Sequence, residues 1–203
     1  MVNKKIVIIG YSGHSYGCIE VSINQDYSII GYYDLVKKIS NPYNLKYLGY
    51  EDNIDISYKP FISIGDNIIR KKIYEKLCKK NIVLSTKLIH LNSIISKSSL
   101  IKEQTYISAG VTINPQTKIG VGCIINTGSI IEHDCDIGEF SHIAPGAVLC
   151  GNVQIGEGSF IGANSVIKQG VRIGKNVIIG AGSVIINNIH DNSKVAGNPS
   201  KII

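Results

Sequence analysis

From residue 89 to residue 185 an aliphatic side chain recurs at every sixth position without a slip in register. The positions are Ile89, Ile95, Ile101, Ile107 and onward through Ile143, Leu149 and Ile155 to Ile185, and sixteen of the seventeen are isoleucine. Four residues after each stands a compact side chain, as at Ser93, Thr105, Val111, Cys123, Ser129, Cys135, Ala147 and Ser183. Glycine often follows the aliphatic residue directly, as at Gly120, Gly138, Gly156, Gly162, Gly174 and Gly180. A period of six fits neither the 3.6 of a helix nor the alternation of a strand. It predicts a chain wound into coils with short flat faces. The aliphatic residue points to the axis, and the compact residue lies where the chain turns a corner.

This is the hexapeptide signature of a parallel β-helix, in which each coil caps the next and stability grows with the number of coils. β-branched isoleucine suits stacked, half-buried strands. After Ile185, Asn187-Asn188 breaks the register, and 195–201 reads as a glycine-proline tail that must leave the solenoid.

The first 85 residues carry a different pattern. Lys5 to Ile9 is a continuous apolar run, as expected of a strand buried on both faces. A glycine turn, Gly10-Tyr11-Ser12-Gly13-His14, leads to a helix expected from about Ser15 to Asn24. A second strand, Tyr27 to Tyr33, ends at Asp34. The stretch 41–59 reads as a loop with at most a short strand. Pro60 to Gly65 reads as a third buried strand, and Asp66 as the N-cap of a helix from about Asn67 to Lys80. That helix has Ile69, Ile73 and Leu77 as its apolar face and Arg70, Lys71 and Lys72 at its start. A last strand is expected over 82–88. Strand, glycine turn, helix, strand and acid form the layout of a nucleotide-binding half of a Rossmann-type fold. The expected fold class is therefore α/β plus all-β. A small Rossmann-like N-terminal domain (1–85) precedes a parallel β-helix with a C-terminal tail (86–203).

Charge changes this picture little. Lys plus Arg number 21 against 15 Asp plus Glu, with no long basic run and no aromatic interleaving. Nucleic acid is therefore not an expected partner. A modest positive field suits anionic small molecules such as nucleotides and coenzyme A. Five cysteines without a CxxC pattern predict a reducing compartment, and Cys123 and Cys135 read as small hydrophobes at corners. No apolar run is long enough for a membrane span and the start lacks a signal-peptide pattern, so the expectation is a cytoplasmic protein.

The chemistry is expected within 126–146. His133 and His142 occupy neither the aliphatic nor the compact phase, so both are read as projecting outward. Acyl transfer from a thioester needs a base to take a proton from the nucleophile, and histidine exchanges protons near neutral pH. Asp134 or Glu132 can orient the ring.

The chain resembles bacterial sugar acetyltransferases of the NeuD/PglD type, within the hexapeptide-repeat acyltransferase superfamily. The likeness spans essentially the whole chain. It is most specific at Tyr11-Ser12-Gly13-His14, at Gly65-Asp66-Asn67 with Arg70-Lys71-Lys72, and over 132–146. The resemblance implies a left-handed, triangular β-helix with three hexads to a coil. It implies His133 as general base with Asp134 beside it, where close relatives carry Glu, and His142 in contact with the acetyl group of acetyl-CoA. Gly162, Ala163, Gly180 and Ala181 would line the pantetheine arm, and 197–199 would cover the adenine end. Ser12, Gly13, His14, Asp34, Gly65, Asn67 and Asn126 would meet the nucleotide-linked sugar, the helix N-terminus facing its pyrophosphate.

The implied reaction is acetyl-CoA-dependent N-acetylation of a nucleotide-linked amino sugar in surface glycan biosynthesis, with no metal. O-acetylation of a sialic-acid-like sugar needs the same base and stays open beside it. A hexapeptide zinc enzyme of the carbonic anhydrase type would need three converging histidines, and only His133 and His142 lie mid-solenoid. A non-catalytic nucleotide-binding scaffold would not bind acetyl-CoA. Apolar residues outside the aliphatic phase (Ile130, Phe140, Val148, Phe160 and Val166) predict an interface between identical chains, and the three-sided section that the resemblance implies makes the expected assembly a homotrimer with active sites between subunits.

Overall fold

A computed structural model describes residues 4–55 and 57–203. Four parallel strands, β1 (Lys4–Ile9), β2 (Tyr27–Tyr33), β3 (Tyr47–Gly49) and β4 (Lys59–Ile62), form one sheet in the order β3-β2-β1-β4. Helix α1 (Gly13–Asn24) joins β1 to β2, and α2 (Asn67–Lys79) follows β4. The order reverses between β1 and β4, which makes the carboxyl ends of these strands the topological switch point of a Rossmann-like sheet.

The two helices cover opposite faces. Cys18, Ile19 and Val21 of α1 pack with Ile6 and Ile8 of β1, and also with Leu88, Tyr106 and Ile124 of the solenoid. Leu77, Ile73 and Tyr74 of α2 pack on Val7, Ile9 and Ile62. The expected apolar face of α2 needs one correction. Ile69 is exposed, and Arg70 is buried at 1% relative exposure. The face that α2 turns inward meets the solenoid's backbone as well as the sheet, and a guanidinium can satisfy carbonyls there.

Seventeen two-residue strands run from Leu88–Ile89 to Val184–Ile185. Each pairs in parallel with the strand 18 residues away, as Ile119 with Ile101 and Ile137. Three hexads therefore make one coil of a left-handed β-helix with three faces. The inward isoleucines from Ile107 to Ile185 are at most 3% exposed and form one continuous core.

The compact residues lie buried inside the corners, and many donate a hydrogen bond to the next coil. Ser141 Oγ donates to the Gly156 carbonyl (3.0 Å), Ser159 Oγ to Gly174 (2.7 Å) and Ser165 Oγ to Gly180 (3.0 Å). Cys123 and Cys135 take the same place, their Sγ donating to the carbonyls of Gly138 and Cys150 at 3.2 and 3.3 Å. They are part of the apolar core, as read from the sequence, and in addition take the donor role that serine has elsewhere. The corner itself is turned by the residue just before the compact one. It adopts positive φ at Gln104, Gln116, Asp134, Phe140, Asn152, Asn164 and Asn176, with glycine at most of the others.

Two expected elements differ. No strand forms over 82–87. The free edge of β4 is instead closed by a solenoid side chain, with Gln104 Oε1 accepting from Ile62 N and Gln104 Nε2 donating to Pro60 O, both at 3.0 Å. The tail does not leave the solenoid. Lys194–Ala196 pairs in parallel with Ile178 and Ile179, then Lys201–Ile202 folds back antiparallel upon it. Val195 is 1% exposed within the core.

Candidate active site

The three faces differ in what they show outward. The first face carries Leu88, Tyr106, Ile124, His142, Phe160 and Ile178, and the N-terminal domain sits on it. The second carries Ile94, Thr112, Ile130, Val148, Val166 and Val184. The third carries Leu100, Lys118, Asp136, Gln154 and Arg172 and is mostly polar.

At the switch point of the sheet lies a cavity of about 360 Å³ lined by Gly10, Tyr11, Ser12, Asp34, Lys38, Tyr50 and Ile64, among others. Asp34 is fixed there, its Oδ2 accepting from Tyr11 N at 2.9 Å and its Oδ1 pairing with Lys38 at 2.9 Å. A Cβ on Gly13 would meet nothing within 4 Å, and one on Gly65 would make only ordinary contact with His14. The fold itself does not demand glycine at either place, and both leave a loop open to an approaching ligand.

His14 turns from this loop toward the solenoid. Its ring stands edge-on to Tyr106 with centroids 5.1 Å apart, and its Nε2 lies 3.6 Å from Cys18 Sγ. Across the seam, His142 packs edge-on against Phe160 at 5.0 Å. Thr127 N donates to Asn126 Oδ1 (2.8 Å), which turns Asn126 Nδ2 toward His142 Nε2 at 3.3 Å. The imidazole nitrogen must then accept, so the proton resides on Nδ1. That atom is buried without a hydrogen-bond partner among the described residues, although the Gly65 backbone lies close enough to favour its proton. His142 projects outward from the first face and is half-buried there under the N-terminal domain.

Burial, then the nearby Arg70 charge, lowers the proton affinity of both rings, His14 to about 3 and His142 to about 4. Both are neutral at pH 7. A depressed folded-state value means that the unfolded chain binds more protons below about pH 6.5, so stability falls as pH drops toward 4. At pH 5 the loss is at most about 2 kcal/mol per ring. Thermal unfolding at pH 7.5 and pH 5 should show a clear drop in Tm that His14→Asn and His142→Asn each reduce. An equal Tm at both pH values in the unaltered protein would contradict it.

Asn126, Ala144, Gly162 and Gly180 follow the first face at the same phase in successive coils, with Thr127, Pro145, Ala163 and Ala181 beside them. The edge between the first and second faces is thus a track of small residues that begins next to His142. Ala181 is exposed on it and Ala163 half-buried. Gly162 has a structural cause of its own, because a Cβ there would fall 2.5 Å from the Ile179 carbonyl and 2.6 Å from Ala181 N of the next coil. Asn67 is likewise taken up by the fold. Its Oδ1 accepts from Arg70 (2.8 Å), and its Nδ2 donates to the carbonyls of Gly158 (3.0 Å) and Ser159 (3.3 Å).

His133 and Asp134 stand elsewhere. They form the edge between the second and third faces, across the prism from the covered first face. His133 Nδ1 lies 2.8 Å from Asp134 Oδ2, and both side chains are more than half exposed. Glu132 is engaged by Asn114 Nδ2 at 2.9 Å. Of the two acids considered, Asp134 is the one in contact with the ring. Asp134 also occupies the corner position with φ +61°, a conformation in which Asp and Asn are favoured over longer side chains.

One residue of this edge escaped the sequence reading. Gly151 lies one coil beyond His133, and a Cβ there would fall 2.6 Å from Cε1 and 2.7 Å from Nε2 of that ring. The signal was available, since 151 is 133 plus one 18-residue coil. Gly151→Ala is expected to push the ring off Asp134 and lower kcat by about 10²-fold, the scale of an ångström of misplacement. Steady-state kinetics beside a melting curve checks this, and wild-type kcat would show that the ring tolerates a neighbour.

A Rossmann-like sheet mounted on hexapeptide coils, with a histidine–carboxylate pair on one edge, defines an acyltransferase of the β-helix class. Comparison with known proteins agrees. Residues 5–77 match the family "PglD N-terminal domain", and residues 152–187 match "Bacterial transferase hexapeptide (six repeats)". The acetyltransferase domain of PglB from Neisseria gonorrhoeae FA1090, in complex with acetyl coenzyme A, is 30% identical with a TM-score of 0.91, over 99% of this chain and 100% of that one. PerB from Caulobacter crescentus, in complex with CoA and GDP-perosamine, is 30% identical with a TM-score of 0.89, over 98% and 97% of the two chains. WeeI from Acinetobacter baumannii AYE is 26% identical with a TM-score of 0.89, over 98% and 99%. The chain belongs to the NeuD/PglD-type sugar acetyltransferases. No helix of the described residues is long and apolar enough to cross a membrane.

Proposed function

We propose that the protein transfers the acetyl group of acetyl-CoA to the amine of a nucleotide-linked amino sugar. The observation that carries the nucleotide is the cavity at the carboxyl ends of β1, β2 and β4, beside which the Ser12–Gly13–His14 loop reaches Tyr106 on the first face, the face that carries His142. The Ser12–Gly13 loop at the start of α1 takes the pyrophosphate through backbone N–H groups. Asp34 stands where an acid meets ribose or base. The complex of PerB with GDP-perosamine supports the amino-sugar acceptor. The small-residue track at the first–second edge suits a pantetheine arm, and the complexes of PglB and PerB with acetyl coenzyme A and CoA support that use.

In the reaction the neutral sugar amine attacks the thioester carbonyl. His133 takes the amine proton as the C–N bond forms. The tetrahedral intermediate then collapses with cleavage of the C–S bond, and the proton passes to the departing coenzyme A sulfur. Asp134 orients the ring and stabilises the imidazolium. The oxyanion needs a donor. At the acetyl end of the track that donor is the Asn126 amide, because His142 Nε2 is itself an acceptor.

His133 and the His142 track lie on different edges of one prism, so the site is completed by a second copy of the chain. The apolar second face is the surface that copies would share. Ile130 and Val166 are exposed there and Val148 is half-buried, with Ile94 above them. Phe140 and Phe160 do not belong to that surface. Phe140 is 3% exposed beneath Tyr74, and Phe160 packs on His142. A homotrimer follows from three-sided prisms sharing this face.

Coenzyme A release with a panel of UDP- and GDP-linked amino sugars and free sialic acids tests the reading. Turnover confined to nucleotide-linked amines supports it, and turnover of sialic acids alone would replace it with O-acetylation.

A further inference from the structure

Arg70 is the largest fully buried side chain among the described residues. A buried cation ordinarily stands against a carboxylate, and among the described residues no carboxylate lies within ion-pair distance of this one. Burial lowers its proton affinity to about 10, which leaves it charged at neutral pH. The charge is met by five oxygen acceptors. Three belong to the loop after β4 and the first residue of α2: the carbonyls of Ile64 and Gly65, each 3.0 Å from Nη1, and Asn67 Oδ1, 2.8 Å from Nη2. Two belong to corners of the solenoid: Gly122 O, 2.7 Å from Nε, and Phe140 O, 2.9 Å from Nη2.

These acceptors flank the two substrates of the proposed reaction. Ile64 lines the nucleotide cavity. Phe140 immediately precedes Ser141 and His142, and Gly122 leads into Ile124, the strand partner of His142. A planar fork with fixed donor directions sets the distance and angle between two such backbones, which an ammonium on a flexible stem does not. We propose that Arg70 is a positioning residue that fixes the nucleotide-sugar loop against the coil carrying His142, so that acceptor and acetyl group meet in one geometry. This rests on the nucleotide-sugar reading of the cavity.

The consequence is a split between substrates. The acetyl-CoA track lies on the first–second edge and, among the described residues, accepts no hydrogen bond from Arg70, whereas the loop after β4 is held by it. In the assembled enzyme, Arg70→Lys and Arg70→Met are expected to raise KM for the nucleotide amino sugar about 10-fold and to lower kcat about 10-fold. KM for acetyl-CoA should stay within about twofold. Lysine keeps the charge and loses the fork, so it should recover little of the wild-type KM. In the methionine variant the His142 ring should titrate at higher pH in histidine NMR, since a neighbouring cation is gone.

Loss of Tm with both KM values unchanged would reduce Arg70 to a structural staple and overturn the proposal. Recovery of full activity by lysine would overturn the fork argument. If the methionine variant fails to fold, Asn67→Ala removes one of the five acceptors and both Asn67 donor bonds to the solenoid. It should move the same KM in the same direction by a smaller factor, and no movement would count against the proposal. If the unaltered enzyme turns over no nucleotide amino sugar, the functional reading fails by itself. Binding of UDP or GDP to wild type and to Arg70→Lys then reads the coupling alone, with about 10-fold weaker binding expected in the variant and equal binding overturning it.

Discussion

Replacing His133 by alanine is expected to lower kcat by about 10²–10⁴-fold, the range lost with a general base, while both substrates still bind. The side chain is more than half exposed and its hydrogen bond is to Asp134, so its removal leaves no buried group unpaired. The coil beneath it is held by backbone pairing and by Ile131, which is fully buried. Tm should therefore change little, and a loss of activity cannot be charged to unfolding. Isothermal calorimetry with coenzyme A and with the nucleotide sugar should give wild-type affinities. Asp134→Asn keeps the corner conformation, which Asn tolerates as well as Asp, and keeps an acceptor near Nδ1. A smaller fall than for His133→Ala is expected. Near-wild-type kcat for His133→Ala would remove this edge from the chemistry and leave the first–second edge alone as the site.

Mixing two inactive variants is expected to restore activity. One chain carries His133→Ala with an intact track. The other carries Ala181→Phe, which fills the open track with a ring and leaves His133 in place. In a closed ring of three, each site takes its track from one chain and its base from the next. Equal mixing then gives about one site in four with both parts intact, and recovery of roughly a quarter of wild-type activity. If each chain held a whole site, no mixture would recover anything. A companion variant, Ile130→Asp with Val148→Asp, places charges on the apolar second face. Both residues have β-strand neighbours on that face and outward side chains, so the coil should persist while assembly fails. Light scattering should show a monomer of about 22 kDa, inactive because His133 has lost the neighbouring track. A fully active monomer would refute both the shared face and the shared site.

Much of the fold was legible because the repeat is rigid. A six-residue phase held over seventeen positions leaves an inward isoleucine one place to go, and the core it forms is the observed one. The Rossmann-like half was legible from the succession of strand, glycine turn, helix, strand and acid, because a parallel sheet buries its strands on both faces and writes them as apolar runs. The corner rule was missed by one residue. The compact side chain is conspicuous in the sequence, while the positive-φ residue before it varies among Gly, Asn, Asp, Gln and Phe, and the backbone rather than the side chain is its common property.

Three placements came only from the tertiary structure. Arg70 reads as the first of a basic triplet, yet it is the buried one, because α2 turns that position toward carbonyls from two separate parts of the chain. Gln104 stands at a corner of the coils, yet its side chain closes the edge of β4 in place of a strand. His133 and His142 read as neighbours in one segment, yet nine residues are half of an 18-residue coil, which sets them on opposite sides of the prism. The sequence by itself determined the coils, the sheet and the residues able to do chemistry, since periodicity and turn chemistry act over a few residues. Which face the N-terminal domain covers, and therefore which edge is left to a second chain, was decided by long-range packing of α1 on Tyr106 and Ile124, contacts that no local pattern encodes.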